Sequence, residues 1–384
     1  MNISDNVKYI GVFDTKTDLF EGQYKVPDGI SYNSYVIIDE KIAVLDTVDK
    51  NFGDEWLNNL SAVLGDKTPD YLVVHHMEPD HSANIARFMN LYPEATIVSS
   101  AAAFRMMQNF FGTAFESRRL LVGENDELPL GKHTLKFIAA PMVHWPEVLM
   151  SYEVSEKILF SADGFGRFGS TDENDDWANE SRRYYIGIVG KYGVQVQAVL
   201  KKAAALEIAK ICPLHGPVLT KNIGEYVKLY DIWSSYAVET DGTVIAYASV
   251  YGNTEKAAKL LAGKLESKGE KVEIYDLART DISEAVAAAF RYGKLVLASI
   301  TYNTDVFPYM KEFINHLTER EFKNRTVAFI ENGSWAPTAA KTMKTMLEKC
   351  KNLVFTETTV KITSALNESS EQQIEKLADK LVTK

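Results

Sequence analysis

The densest chemistry in the chain is His75-His76-Met77-Glu78-Pro79-Asp80-His81, directly after the apolar run at 71–74. His76, Glu78, Asp80 and His81 put four hard or borderline metal donors into six residues. Alternate residues of an extended segment share a side, which sends His76, Glu78 and Asp80 together. Asp80-His81 then meets the start of a helix, and His75 faces the other way, as packing or support. Three further donors each close an apolar run: His144 in AAPMVHWPE, Asp163 in ILFSADGFG and His215 in KICPLHGP. A single histidine at a strand end is usually a satisfied core or loop residue. Five of the seven histidines, however, fall in this one constellation. Strand ends converging on one sheet edge would gather a set sufficient for two metals sharing a bridging carboxylate. His133 and His316 lack flanking donors and read as surface residues, and Cys212 as buried and inert.

A second chemistry lies at 249–254, Ser-Val-Tyr-Gly-Asn-Thr, between a buried strand and a helix. Backbone N–H groups at a helix start, with the side chains of Ser249, Asn253 and Thr254, can bind a phosphate without a basic residue. Many such turns only cap their helix. Two later loops, Thr301-Tyr302-Asn303-Thr304 and Asn332-Gly333-Ser334-Trp335, follow strands at the same expected edge. Their aromatic residues could stack on a flat ring or belong to the core. The dinucleotide fingerprint and the Walker lysine are both missing.

These sites need scaffolds. With 384 residues the chain is long enough for two or three domains. Apolar residues make up 46% and charged residues 24%, as in a folded globular protein. No apolar run reaches the roughly 18 residues of a membrane span, and MNISDNVKYIGVFD does not read as a signal peptide. A net charge of −10 disfavours nucleic acid. Two cysteines cannot build a disulfide framework or a four-cysteine metal site, and a reducing cytosol is the expected setting.

The organisation shifts near 240. From 243 onward strands and helices alternate: strands at 243–250, 271–277, 294–300, 325–333 and 353–362, each followed by an amphipathic helix. That pattern predicts a doubly wound parallel sheet, with ligands at the carboxyl ends of its strands. The first part is mixed. A hairpin at 31–48 turns at Asp39-Glu40-Lys41, and strands are expected at 71–76, 96–100, 134–141 and 148–163, the last with a turn near Ser155-Glu156. Helices are expected at 55–65, 82–92 and 102–112, with a long one across 181–206 and another at 220–233. Hairpins first and βα units later imply a sheet sandwich with outer helices. The expected domains are 1–240 and 241–384.

His76-x-Glu78-x-Asp80-His81, followed by His144, Asp163 and His215, resembles the metallo-β-lactamase superfamily pattern. Glu78 stands where the zinc hydrolases carry a histidine, and that replacement resembles the flavodiiron proteins. An anionic, harder ligand favours iron over zinc. The resemblance implies an αββα sandwich in which one iron takes His76, Glu78 and His144, the other takes Asp80, His81 and His215, and Asp163 bridges. From about 243 the chain resembles flavodoxin. This implies FMN, with its phosphate on Ser249, Val250, Tyr251, Gly252, Asn253 and Thr254 and its ring between the 301–304 and 332–335 loops. Both resemblances together cover the chain in the flavodiiron order. They imply reduction of O2 to water or of NO to N2O. They also imply an external donor such as rubredoxin or a deazaflavin, and a head-to-tail homodimer or dimer of dimers. Tyr32 and Trp145, with Asn33, are the candidate residues around the metals. Competing readings are a dizinc hydrolase with an appended flavodoxin and an electron-transfer module with an inactive lactamase domain.

Overall fold

The computed structural model describes residues 3–383. Two compact units emerge. One runs to Tyr185 and takes in Tyr192–Asp231; the other comprises Ile186–Lys191 and the chain from Ile232 onward.

The first unit is built on two sheets. One contains β1 (Val7–Tyr9), β2 (Tyr35–Ile38), β3 (Ile42–Leu45), β4 (Tyr71–Val73), β5 (Thr96–Ser99) and β6 (Arg119–Leu121), side by side in that order. The other contains β7 (Glu127–Pro129), β8 (Thr134–Ala139), β9 (Leu149–Glu153), β10 (Ile158–Phe160) and β11 (Lys210–Cys212), again in order. Tyr35, Ile37, Leu45, Val73 and Val98 of the first sheet share one core with Leu135, Phe137, Leu149, Phe160 and Cys212 of the second. Side chains alternate along a strand, so Val36, Val44, Leu72 and Ile97 face the other way, and they too are buried. Outer helices supply that second apolar layer. Helix Gly53–Leu64 buries Trp56, Leu60 and Leu64 at four-residue spacing and stops at Gly65, where φ is +57°. This is the αββα sandwich.

The expected hairpin turn at 39–41 lies between β2 and β3. The long helix expected over 181–206 is broken. An α-helix at Trp177–Tyr184 passes into a π-helix at Tyr185–Val189 and a 3-10 turn at Gly190–Tyr192, before α-helix resumes at Gly193–Ala203. Glycines at 187, 190 and 193 weaken a regular helix there. The displaced segment is held within the second unit: Arg320 donates to the Gly187 carbonyl at 3.2 Å and the Tyr236 hydroxyl to that of Gly190 at 2.7 Å.

His133 is not a surface residue. It is 3% exposed, its ring lies between Asp39 (2.7 Å) and Glu156 (3.1 Å), and its N–H donates to the same Asp39 oxygen. Both partners come from other turns, so nothing flanking His133 in sequence announces them. Burial lowers its pKa, but the bonds to Asp39 and Glu156 outweigh burial and raise it above the ordinary histidine value. A raised folded-state pKa stabilises fully below the unfolded value of about 6.5 and ceases to do so as pH rises through the folded one. Thermal melts of His133→Gln should therefore lie further below wild type at about pH 5.5 than at about pH 9; an equal deficit at both would refute the charged pairing.

The second unit holds five parallel strands: β12 (Thr240–Ala248), β13 (Val272–Asp276), β14 (Tyr292–Tyr302), β15 (Thr326–Asn332) and β16 (Val354–Ile362). Their spatial order is β13-β12-β14-β15-β16, the flavodoxin-like winding. Ile245, Val296, Ile330 and Val360 meet Leu261 and Leu265 of helix Asn253–Ser267 and Ile374 and Leu377 of helix Glu368–Val382. Among the described residues no helix is long and apolar enough to cross a membrane.

Candidate metal centre and flavin site

Strand ends bring the metal donors to one edge of the sandwich. His75 and His76 follow β4, His144 follows β8, Asp163 follows β10 and His215 follows β11. The extended run after β4 is short, because Pro79 opens a helical turn at Pro79–Ser82. That turn lets the neighbours Asp80 and His81 both face the site, which alternation along a strand would forbid.

Two donor clusters result. In the first, His76 Nε2 lies 3.3 Å from Glu78 Oε2 and 3.3 Å from His144 Nε2, with His144 Nε2 3.0 Å from Glu78 Oε2. In the second, His81 Nε2 lies 3.0 Å from His215 Nε2 and 3.3 Å from Asp80 Oδ2. Asp163 joins them. Its Oδ2 is 3.2 Å from His76 and 3.1 Å from His144, while its Oδ1 is 3.4 Å from His81 and 3.9 Å from His215.

The donors fit cations better than they fit one another. Among the described residues, no hydrogen bond of normal geometry reaches either oxygen of Asp80 or Asp163, although these atoms are buried. Facing Nε2 atoms of two imidazoles gain little from each other. Atoms about 2.0–2.2 Å from a shared metal ion, in contrast, stand roughly 3.0–3.5 Å apart, the spacing seen here for every pair given except Asp163–His215. The electrostatics agree. Burial would depress the imidazoles, but Asp163 holds His76 well above its ordinary pKa and Asp80 raises His81. The close carboxylates of Asp163 and Glu78 lift His144 to about 9 against the same burial. A pocket that draws protons onto buried histidines is strongly negative and suits cations.

Several residues orient the donors, and most escaped sequence reasoning. Glu147 accepts from His76 Nδ1 and from the Met77 N–H, both at 2.8 Å. It lies only three residues past His144, but no periodicity marks it. The Ser31 carbonyl takes His215 Nδ1 at 2.7 Å. Asn33 donates to the carbonyls of Pro213 (2.8 Å) and Gly216 (2.9 Å) and so grips the His215 loop. His75 is a support, as expected. Asp46 accepts its N–H at 2.7 Å and pairs with its Nδ1 at 2.5 Å, and its Nε2 meets Ser151 Oγ at 2.8 Å. Tyr32 and Trp145 wall the site, with ring centres 6.0 Å from His215 and 5.3 Å from His76 respectively. Phe20 and Tyr184 close around His215 at 5.3 and 5.4 Å, and neither was singled out from the sequence.

In the second unit a cavity of about 570 Å³ opens at the carboxyl ends of β12, β14 and β15. Ser249, Val250, Tyr251, Asn253 and Thr254 line it, as do Thr301, Tyr302, Asn303, Thr304, Asn332, Gly333, Ser334 and Trp335. Gly252 alone of the expected set does not. Its φ of +84° instead lets the chain turn into helix Asn253–Ser267. A Cβ built on Gly252 meets nothing within 4 Å, so open space lies over the loop where a phosphate would sit. Tyr251 and Trp335 are 92% and 91% exposed, which settles that neither is core. Ile300, Ala336, Thr338 and Ser364 also line the cavity. Ser364 comes from beyond β16, where no motif drew attention.

Comparison with known proteins agrees with the two-domain architecture. Residues 30–216 match the ODP family beta lactamase and residues 244–376 match a flavodoxin domain. An uncharacterized protein of Methanocaldococcus jannaschii is 30% identical, over 92% of this chain and 90% of its own. A nitric oxide reductase of Moorella thermoacetica is 27% identical over 91% and 90% of the two chains. Diflavin flavoprotein A 1 of Synechocystis is 31% identical over 73% of this chain but 50% of its own, so the chain spans about half the length of that relative. The rubredoxin oxygen:oxidoreductase of Desulfovibrio gigas superposes with a TM-score of 0.92 at 25% identity, covering 99% of this chain and 97% of that one. The flavodiiron protein of Giardia intestinalis gives 0.92 at 27%, covering 99% and 96%. Fold and site together define a lactamase-like metal domain followed by a flavodoxin domain. The chain belongs to the flavodiiron protein family.

Proposed function

We propose that the protein is an oxidoreductase that passes electrons from FMN to a non-haem diiron centre and there reduces NO to N2O and O2 to water. The observation that carries this reading is Asp163, whose two oxygens each face a separate histidine–carboxylate cluster. The nitric oxide reductase and oxygen oxidoreductase among its relatives support it. Bound iron and flavin supply the redox chemistry.

The chain's residues supply the rest. His76, Glu78 and His144 would hold one iron, and Asp80, His81 and His215 the other, with Asp163 spanning both. Glu147 and the Ser31 carbonyl fix which nitrogen of His76 and of His215 faces the metals. Tyr32, Trp145 and Phe20 limit water at the site. The 249–254 loop would hold the phosphate and the 301–304 and 332–335 loops the flavin ring. Working domain limits of 1–240 and 241–384, an external donor such as rubredoxin, a cytoplasmic setting and a head-to-tail homodimer complete the proposal.

Protein purified without oxygen should contain about two irons and one FMN per chain and, once reduced, consume NO and O2. Zinc in place of iron, or absence of flavin, would overturn the assignment, and the ratio of the two rates decides the main substrate.

A further inference from the structure

Thr301 lines the flavin cavity, but its hydroxyl is committed elsewhere. Thr301 Oγ1 accepts the N–H of Thr338 at 2.8 Å and that of Ala339 at 3.1 Å. Glu331, buried near the end of β15, accepts the N–H of Ala340 at 3.0 Å. These N–H groups open helix Ala339–Met346, whose preceding residue Thr338 gives it no side-chain cap. Helix starts leave such groups without internal partners. Here two neighbouring strands serve as the cap.

The consequence falls on the loop between β15 and that helix, which carries Trp335. Its far end is clamped by Thr301 and Glu331. At its near end the Gly333 N–H donates to the Ile362 carbonyl at 3.2 Å, and the Asn332 amide exchanges two 3.1 Å bonds with Ser364. A Cβ on Gly333 would come within 2.9 Å of Pro337 Cα, so the loop is folded tightly on itself. Trp335, though 91% exposed, thus rides on a segment fixed at both ends.

We propose that Thr301 is a positioning residue for the flavin ring: by capping helix Ala339–Met346 across the strand boundary, its hydroxyl sets the loop that presents Trp335. The inference rests on the FMN reading above and divides the cavity's labour. Thr254 and the start of its helix serve the phosphate, and Thr301 serves the ring.

The test is binding of FMN and of riboflavin, which lacks the phosphate, to full-length protein stripped of flavin. Thr301→Val should weaken both by the same factor, roughly five- to tenfold, the loss of about one hydrogen bond's net worth. Thr301→Ser keeps the acceptor and should bind both as wild type does. Thr254→Val should weaken FMN more than riboflavin. In a Trp335→Ala background, Thr301→Val should cause no further loss, because the two act through one contact. A Thr301→Val defect confined to FMN would make the residue a phosphate ligand and overturn the inference. So would a Ser variant as weak as the Val variant, or losses at 301 and 335 that simply multiply. Wild-type protein that binds neither flavin overturns the FMN reading and this inference with it.

Discussion

Asp163→Ala should empty both halves of the metal centre at once. Every other donor belongs to one cluster, so its loss leaves the second intact. Asp163 alone reaches both, through different oxygens, and is 1% exposed. Iron in anaerobically prepared protein should fall from about two per chain to below one, and NO and O2 consumption by more than roughly a hundredfold. Glu147→Gln, which removes only the carboxylate behind His76, should cost about ten- to a hundredfold in iron affinity. Flavin content should not change in either variant, since the FMN cavity belongs to the other unit. Retention of two irons by Asp163→Ala would dismiss the bridge.

Asp46→Ala should be the most destabilising single change near the site. The Asp46 carboxylate is 1% exposed and takes the His75 N–H, the His75 ring and, at 3.4 Å, the His76 N–H. Its φ is +55°, a conformation that aspartate and asparagine tolerate better than alanine. Leaving a buried donor without its acceptor costs about 1–3 kcal/mol, and the strained backbone adds to it. Urea unfolding followed at the transition of the first unit should show this as a lower midpoint with an unchanged slope. Asp46→Asn should lose far less. Its oxygen still accepts the His75 N–H, and His75 can move its proton to Nε2 and donate to Ser151. Equal losses in the two variants would mean that charge, not hydrogen bonding, holds the strand end.

Much of this was legible in the sequence because the candidate metal donors gather shortly after apolar runs. A buried strand announces itself by composition, and the residue just past its end must lie at the sheet edge. The same logic put the candidate phosphate loop after β12, at the cavity edge. Features made by partners distant in sequence were hidden. His133 looked exposed because Asp39 and Glu156 lie on other turns. The bonds from Thr301 to a helix start stayed hidden because that helix begins 38 residues later. The break at 185–192 was marked only by spaced glycines, which a count of apolar periodicity passes over. The small strands before residue 30 are too short and irregular for alternation to show.

Both sheets of the first unit are laid down in the order in which the ribosome delivers their strands. Nearly every strand can therefore pair with one that has just emerged, and few long closures must wait. The exception is β11, which pairs with β10 only after the helices of 177–203 have been made. His215 follows β11. The residues of the cluster His76, Glu78, His144 and Asp163 are all synthesised before His215, the third partner of Asp80 and His81, which lies 134 residues after His81, so the second half of the centre has the longer loop to close.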